Sequence, residues 1–392
     1  MLDSISVNDS TDRGRGVFAT RFIPAGSVVI RALPFALVPN DAAMLHFCCV
    51  CLAPASGDYA ACADCGMSVM CPRCKLSPNA CRVHADECSA LKRLKAAPAE
   101  LRPKDTRSLR LLLRCLCARW RMATQPPEDQ YLGEDDSWWG DGDVAADDFE
   151  DIEALVAPPS PEEGSDEDGD EAATDDRAEN GDSDGDELSG TSLATALFEM
   201  AKQARFFLDS EMRVGHATCV ELMGRLCCNS LTVYGHRNLF GETSQSPAEL
   251  REIGVAVSAS VAMLNHDCQP NADWALDDDG CLVVTALQDL PRGAELCLSY
   301  VDVRLPAAVR QRRLRRCFFF DCKCAACLEG VSRWSCALCG SQNGAFVEVC
   351  TGAHCDALRS QMAVPVLPRG GNARPTAGGQ QSRKQVAKRI KK

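Results

Sequence analysis

No stretch of this 392-residue chain approaches the roughly twenty consecutive apolar residues of a membrane-spanning helix, so no bilayer span is expected. Residues Met1 to Gly16 are polar and charged and lack the apolar core of a secretory signal. No internal repeat is visible. Basic residues are almost missing between Glu134 and Glu187, where 24 acidic residues face one base, Arg177. The formal charge of -13 is therefore uneven, and the remainder of the chain carries about +10. That acidic stretch holds Gly, Ser and Pro with few large apolar residues, and residues 126–190 are expected to be disordered. The length suffices for two or three compact units.

What the chain has in abundance is cysteine, 25 in all. A disulfide scaffold suits a short secreted chain, and nothing here marks secretion. The expectation is an intracellular protein, in nucleus or cytoplasm, with reduced thiols. Clustered thiolates are then soft ligands suited to zinc.

Turn residues alternate with β-branched runs from 16 to 38, and Val17-Phe18-Ala19, Pro24-Ala25-Gly26 and Ser27-Val28-Val29-Ile30 read as strands joined in a hairpin. Lys104 to Met122 places Leu109, Leu112, Leu113 and Leu116 at helical spacing, and Thr191 to Leu208 has a similar pattern. Ser246-Pro247-Ala248-Glu249 has the residues of a capped helix start. Asp277-Asp278-Asp279-Gly280 lies between two strand-like runs and predicts a hairpin.

Three tracts carry the functional reading. They are Asn265-His266-Asp267-Cys268-Gln269-Pro270-Asn271, Gly293-Ala294-Glu295-Leu296-Cys297-Leu298-Ser299-Tyr300, and Cys322-Lys323-Cys324-Ala325-Ala326-Cys327. In this order, with Gly14-Arg15-Gly16 near the start, they resemble the SET domain of protein lysine methyltransferases. A cysteine-rich segment inserted after the first strands makes the whole similar to the SET and MYND domain-containing subfamily, over residues 10 to 330 apart from the acidic stretch. The resemblance implies an α+β fold: a SET β-fold with a pseudoknot, an inserted zinc-binding MYND finger, a helical insertion and a cysteine-rich post-SET segment. It divides the chain into a SET N-terminal part (1–47), the finger (48–88), a helical linker (89–125), the acidic insert (126–190), the helical insertion (191–250), the SET core (251–303) and the post-SET segment (304–330). A small zinc ribbon (331–360) and a disordered basic tail (361–392) complete the expected organisation.

By the same resemblance Tyr300 is the catalytic tyrosine and also touches the cofactor, S-adenosylmethionine. Arg13, Gly14, Arg15, Asn229, Asn265 and His266 fall on cofactor contacts. Phe320 falls on the aromatic that covers the adenine, while Leu298 and Phe318 line the lysine channel. The finger supplies seven cysteines and a histidine for two zinc ions: Cys48, Cys51, Cys71 and Cys74 on one, Cys62, Cys65, His84 and Cys88 on the other. A third ion takes Cys322, Cys324 and Cys327, closed by Cys268. Cys336 and Cys339, with Cys350 and either His354 or Cys355, offer a fourth set or remain unliganded thiols.

Several positions depart from the family pattern. Asp267 replaces a usual serine, and Leu298 stands where other SET enzymes often carry an aromatic. The third cysteine pair is spaced by two residues, not three. Cys81 replaces a usual tryptophan, and Cys49 competes with Cys48. The family's large helical C-terminal domain has no counterpart, which implies a more open cleft or a wall borrowed from a partner.

The implied activity is methyl transfer to lysine of a histone or non-histone protein. The competing reading is a non-catalytic adaptor whose finger binds proline-rich peptides. Direct DNA binding is disfavoured, because the acidic stretch repels phosphates and no base-reading helix is visible. The tail Arg383 to Lys392 reads either as a nuclear localisation signal or as a solubilising end. Its Gly378 to Ala387 stretch resembles a histone tail and suggests Lys384 as an automethylation site.

Overall fold

The computed structural model describes residues 4–10, 13–55, 59–124, 144–158, 193–236, 250–328, 333–335 and 342–344. Strands β1 (Ile5–Ser10) and β2 (Gly14–Ala19) open the chain as an antiparallel pair, followed by β3 (Val28–Leu33) and β4 (Ala36–Pro39). Then come helices α1 (Pro72–Leu76), α2 (Pro78–Ala96) and α3 (Arg107–Thr124). Ser77 caps α2, its hydroxyl accepting from the Ala80 amide, with Pro78 at the first helical position. A short strand β5 (Ala145–Ala146) and helix α4 (Phe149–Glu153) precede α5 (Leu193–Phe207) and α6 (His216–Asn229).

The second half holds β6 (Leu231–His236), β7 (Leu250–Val257), α7 (Ala259–Ala262), β8 (Asn265–His266), β9 (Ala272–Leu276), β10 (Leu282–Ala286) and β11 (Glu295–Leu298). Helices α8 (Ala307–Phe318) and α9 (Ala325–Leu328) follow, and β12 (Arg333–Ser335) pairs with β13 (Gln342–Gly344). The strands form sheets in the orders β1-β2-β11-β8, β5-β3-β10-β9 and β4-β7-β6. Inward residues such as Val17, Ile30, Leu276, Val284 and Leu296 form one core between sheets. A second core is helical, with α2, α3, α5 and α6 contributing Leu94, Leu112, Ala204 and Met223.

Three expectations change. Strands β2 and β3 do not form a hairpin: β2 pairs with β1 and β11, whereas β3 pairs with β10 and β5. The Pro24-Ala25-Gly26 turn instead carries the chain between two sheets, with Gly26 in a left-handed conformation. Residues 144–158, inside the stretch expected to be disordered, are folded. Phe149, Ile152 and Leu155 are buried against α3 and α6, because their spacing puts all three on one side. The Asp147 carboxylate fixes the entry by accepting from Ser258, Ala259 and Ser260. Ser246–Glu249 lie outside the described residues, and a helix begun there does not continue. From Leu250 the chain is strand, since Ile253, Val255 and Val257 pack between β4 and β6. The hairpin expected at Asp277–Gly280 is present between β9 and β10.

Candidate functional site

The site is organised by β8, which runs parallel to β11 with Asn265 opposite Cys297 and His266 opposite Leu298. Two residues beyond β11, the chain folds back over β8 so that Tyr300 is held at both ends. Its amide donates to His266 Nδ1 at 2.9 Å, and its hydroxyl donates to the Leu264 carbonyl at 2.6 Å. Because Nδ1 accepts, the ring proton belongs on Nε2, which lies 3.3 Å from Cys268 Sγ. Burial, and then the neighbouring Cys297 and Glu295, push the Tyr300 phenol above its ordinary range, so it stays a neutral donor.

Arg13 donates to the His266 carbonyl at 3.3 Å and lies within 4 Å of carboxylate oxygens on Asp267 and Glu295. Asn265 donates to the Arg15 carbonyl at 3.0 Å and to Glu295 Oε1 at 2.8 Å. Gly14 is left-handed, and a Cβ built on it meets open space. At Gly16 a Cβ would lie 2.8 Å from the Asn265 amide and 2.6 Å from Glu295, so a larger residue would push these two side chains out of their present contact. Asn271 pins the same crossing by donating to the Glu295 carbonyl and accepting from the Cys297 amide.

Aromatic rings close the site. Phe318 lies 4.9 Å from Tyr300 between ring centres, and Phe320 lies 6.3 Å from Tyr300 and 6.0 Å from His266. A cavity of about 140 Å³ opens beside Tyr300, lined by Leu298, Phe318, Trp274, Val261, Cys228 and Asn229 among others. Asn229 thus reaches the cavity wall, while its side chain is bound to the carbonyls of Val156 and Arg225. The Arg15 guanidinium is engaged by the Ala154 carbonyl, so what Arg15 offers the crossing is backbone. The folded 144–158 segment therefore borders the site, which its acidic composition did not announce.

Among the described residues, three sets of four ligand atoms lie within 4.8 Å of one another: Cys48, Cys51, Cys71 and Cys74; Cys62, Cys65, His84 and Cys88; and Cys268, Cys322, Cys324 and Cys327. Tetrahedral zinc with Zn–S near 2.3 Å sets its sulfurs about 3.8 Å apart. The measured separations fit: 3.8 Å for Cys51–Cys71, 3.7 Å for Cys62–Cys88 and 3.5 Å for Cys268–Cys327. Burial raises the Cys62 thiol, but donors from the Cys65 backbone and His84 outweigh it and bring the group down to about 6. Nε2 of His84 faces Cys65, and its Nδ1 lies 3.8 Å from the buried Glu87 carboxylate. A carboxylate behind a ligating imidazole is a common orienting arrangement.

Cys49 does not join the first set. Its thiol is kept neutral by burial, and its carbonyl accepts from Arg114. The Cys81 thiol reaches the carbonyls of Cys74 and Lys75. Cys336, Cys339, Cys350, His354, Cys355 and Lys384 lie outside the described residues.

Two contributors escaped the sequence reading. Glu295 was quoted within its tract but given no role, and its carboxylate proves to be the common partner of Asn265 and Arg13. Arg310, with no exposed surface, donates to Cys268 Sγ at 3.2 Å and to the Leu305 carbonyl. A buried guanidinium beside four cysteines was the signal, but it requires knowing that α8 packs on them.

A parallel strand pair beneath a half-buried tyrosine, with zinc-type cysteine sets before and behind it, defines a SET-type protein with metal-binding appendages. The chain belongs to the SET domain family, whose model matches residues 14–301. It is 30% identical over 107 residues to human histone-lysine N-methyltransferase SMYD3, a match spanning 27% of this chain and 22% of that protein. It is 22% identical over 324 residues to Arabidopsis thaliana histone-lysine N-methyltransferase ASHR1, spanning 82% of this chain and 55% of that one. SET domain and MYND-type zinc finger protein 6 of Schizosaccharomyces pombe is 34% identical over 76 residues, which span 19% of this chain and 15% of the relative. The chain thus matches less than two thirds of the length of each. Among the described residues, no helix is long and apolar enough to cross a membrane.

Proposed function

We propose that this chain is an S-adenosylmethionine-dependent protein-lysine N-methyltransferase with three structural zinc ions. The observation that carries the reading is the Tyr300 phenol, held neutral and fixed at both ends, beside a cavity walled by Leu298 and Phe318. Bound S-adenosylmethionine supplies a methyl group activated by a sulfonium. Arg13, Asn265, the backbone of Gly14, Arg15 and His266, and the ring of Phe320 would hold it.

The remaining work falls to the cavity. Free lysine has a pKa near about 10.4 and is almost wholly charged at neutral pH. The apolar side chains of the wall, Leu298, Phe318, Trp274 and Val261, penalise the ammonium, which favours loss of its proton to water before attack. Tyr300 and the Leu264 carbonyl then fix the direction along which the neutral nitrogen approaches, and such positioning supplies much of the rate. The zinc ions take no part in the chemistry. The ion at Cys268, Cys322, Cys324 and Cys327 would keep Phe318 and Phe320, which precede Cys322, against Tyr300.

Tyr300→Phe keeps the ring and removes the hydroxyl. It is expected to lower kcat by about a hundredfold, in line with the cost of small misalignments. Calorimetry should show the zinc-replete wild type binding S-adenosylmethionine. Absence of both binding and transfer in the wild type would favour the adaptor reading, with the SET fold as scaffold.

A further inference from the structure

Helix α8 ends at the cavity and is strongly basic. From Pro306 to Leu328 the sequence holds Arg310, Arg312, Arg313, Arg315, Arg316 and Lys323 against one acid, Asp321. The rotation of the helix is fixed from inside, since Arg310 is bound to Cys268 and Leu305, and Leu314 is fully buried. Arg312, Arg313, Arg315 and Arg316 are consequently exposed, and Lys323 continues the exposed basic surface past the helix end. Asp321 is engaged by Arg315 at 2.5 Å. Cations in the last turn of a helix favour its dipole, which accounts for Arg315 and Arg316 but not for Arg312 or Arg313. The next residue after the helix, Phe319, is held in a left-handed conformation at φ 59° with half its surface exposed, while its neighbours Phe318 and Phe320 turn inward onto Tyr300.

Resting on the methyltransferase reading, we infer that this face of α8 binds an acidic segment of the protein substrate flanking the target lysine. The observation is a one-sign surface on the same short element whose last residue, Phe318, walls the lysine cavity. The helix has 12 residues and so measures about 18 Å, the reach of roughly five residues of extended peptide. A substrate chain that leaves the cavity along α8 would meet Arg316, Arg313 and Arg312 within that distance, and Lys323 lies on the other side of the cavity-lining Phe318 in sequence. A nucleic acid fits less well, because the basic face is a single helix of 12 residues ending at the lysine cavity, a match for a short peptide segment and not for a long polyanion.

The test uses the full zinc-loaded chain and two short peptides with one central lysine, flanked on both sides by Glu in one and by Gln in the other. Anisotropy of the labelled peptides reads binding without turnover, so its result stands apart from whether methyl transfer is detected. The Glu peptide should bind about tenfold tighter at low salt, the two converging near ~1 M salt as screening sets in. In Arg312→Glu/Arg316→Glu, with circular dichroism and zinc content as in the wild type, the preference should invert. Arg312→Gln/Arg316→Gln should remove most of it, and is the deciding variant if the double reversal fails to fold. Equal binding of the two peptides by the wild type overturns the proposal. So does a preference that both variants retain, or loss of duplex DNA binding in the variants with peptide preference unchanged.

Discussion

At the scale of single residues, Arg114 and Glu87 carry much of the junction between the cysteine-rich insertion and the rest. Both are buried, and Arg114 Nε donates to Glu87 Oε2 at 2.8 Å. Arg114 also donates to the carbonyls of Leu37 and Cys49. Burial alone would raise the Glu87 carboxyl, but the charge and hydrogen bonds of Arg114, aided by His84, hold it down to about 2. Removing one partner strands the other charge in the core. Arg114→Met is expected to cost about 3–5 kcal/mol, read by chemical denaturation of the zinc-loaded protein. A loss below ~1 kcal/mol would mean that the pair is solvated in solution. The site residues most legible in the sequence were those contiguous with their motif, Asn265, His266 and Tyr300, since backbone proximity delivers them together. Glu295 was less so. Its role depends on the room left by Gly16, on a strand almost the whole chain away in sequence.

At the scale of elements, two attachments decide geometry. The first turn of α3 is anchored by Asp41, which accepts from the Thr106 amide at 2.8 Å, from its hydroxyl at 2.7 Å and from Arg110 at 2.6 Å. Burial opposes ionisation there, but these donors prevail and lower the carboxyl below its usual 3.8. A depressed folded pKa means the stabilisation is complete above 3.8 and fades as pH falls through the lower folded value. Asp41→Asn should therefore destabilise by about 1–3 kcal/mol at neutral pH, and the gap to wild type should close in acid. Thermal melts across pH 2–7 check this; a gap that widens in acid contradicts it.

The second attachment is the Cys268 set, which ties α8 and the aromatic residues after it to the Asn265 tract. Cys268→Ser should bind one zinc ion fewer than wild type by native mass spectrometry. It should also lower activity about tenfold or more, as disturbed ligand shells commonly do. A metal count equal to that of wild type would refute the assignment. Helices α3 and α5 could be anticipated because apolar periodicity is local. Folding of 144–158 could not, because Phe149, Ile152 and Leu155 are outnumbered by the five carboxylates of that segment and far more so over the whole acidic stretch.

Across the whole molecule, the finger and the SET strands are coupled through a charged seam. Arg73 donates to Asp279 at 2.5 Å and to the Asp278 carbonyl at 2.6 Å, while Arg31 bridges Asp277 and Asp279. Gly280 completes the turn in a left-handed conformation, where a Cβ would sit 2.8 Å from Cys51 Cβ. The family and the three cysteine sets were legible through the resemblance that the motif tracts carry. The division of the strands among separate sheets was not, since β2 and β3 pair with partners more than 250 residues away, in β11 and β10. Gly280→Ala strains both the turn and the Cys51 set, and a release of zinc to a chelator several-fold faster than wild type is expected. Unchanged release would show that finger and SET strands are independent.

The most direct test of the central claim is the intact mass of protein substrates after incubation with S-adenosylmethionine. The account predicts gains in whole multiples of one methyl group, localised to lysine, with wild type and nearly abolished with Tyr300→Phe. Equal gains from both proteins, or none from a zinc-replete wild type that binds the cofactor across a broad substrate panel, would contradict it.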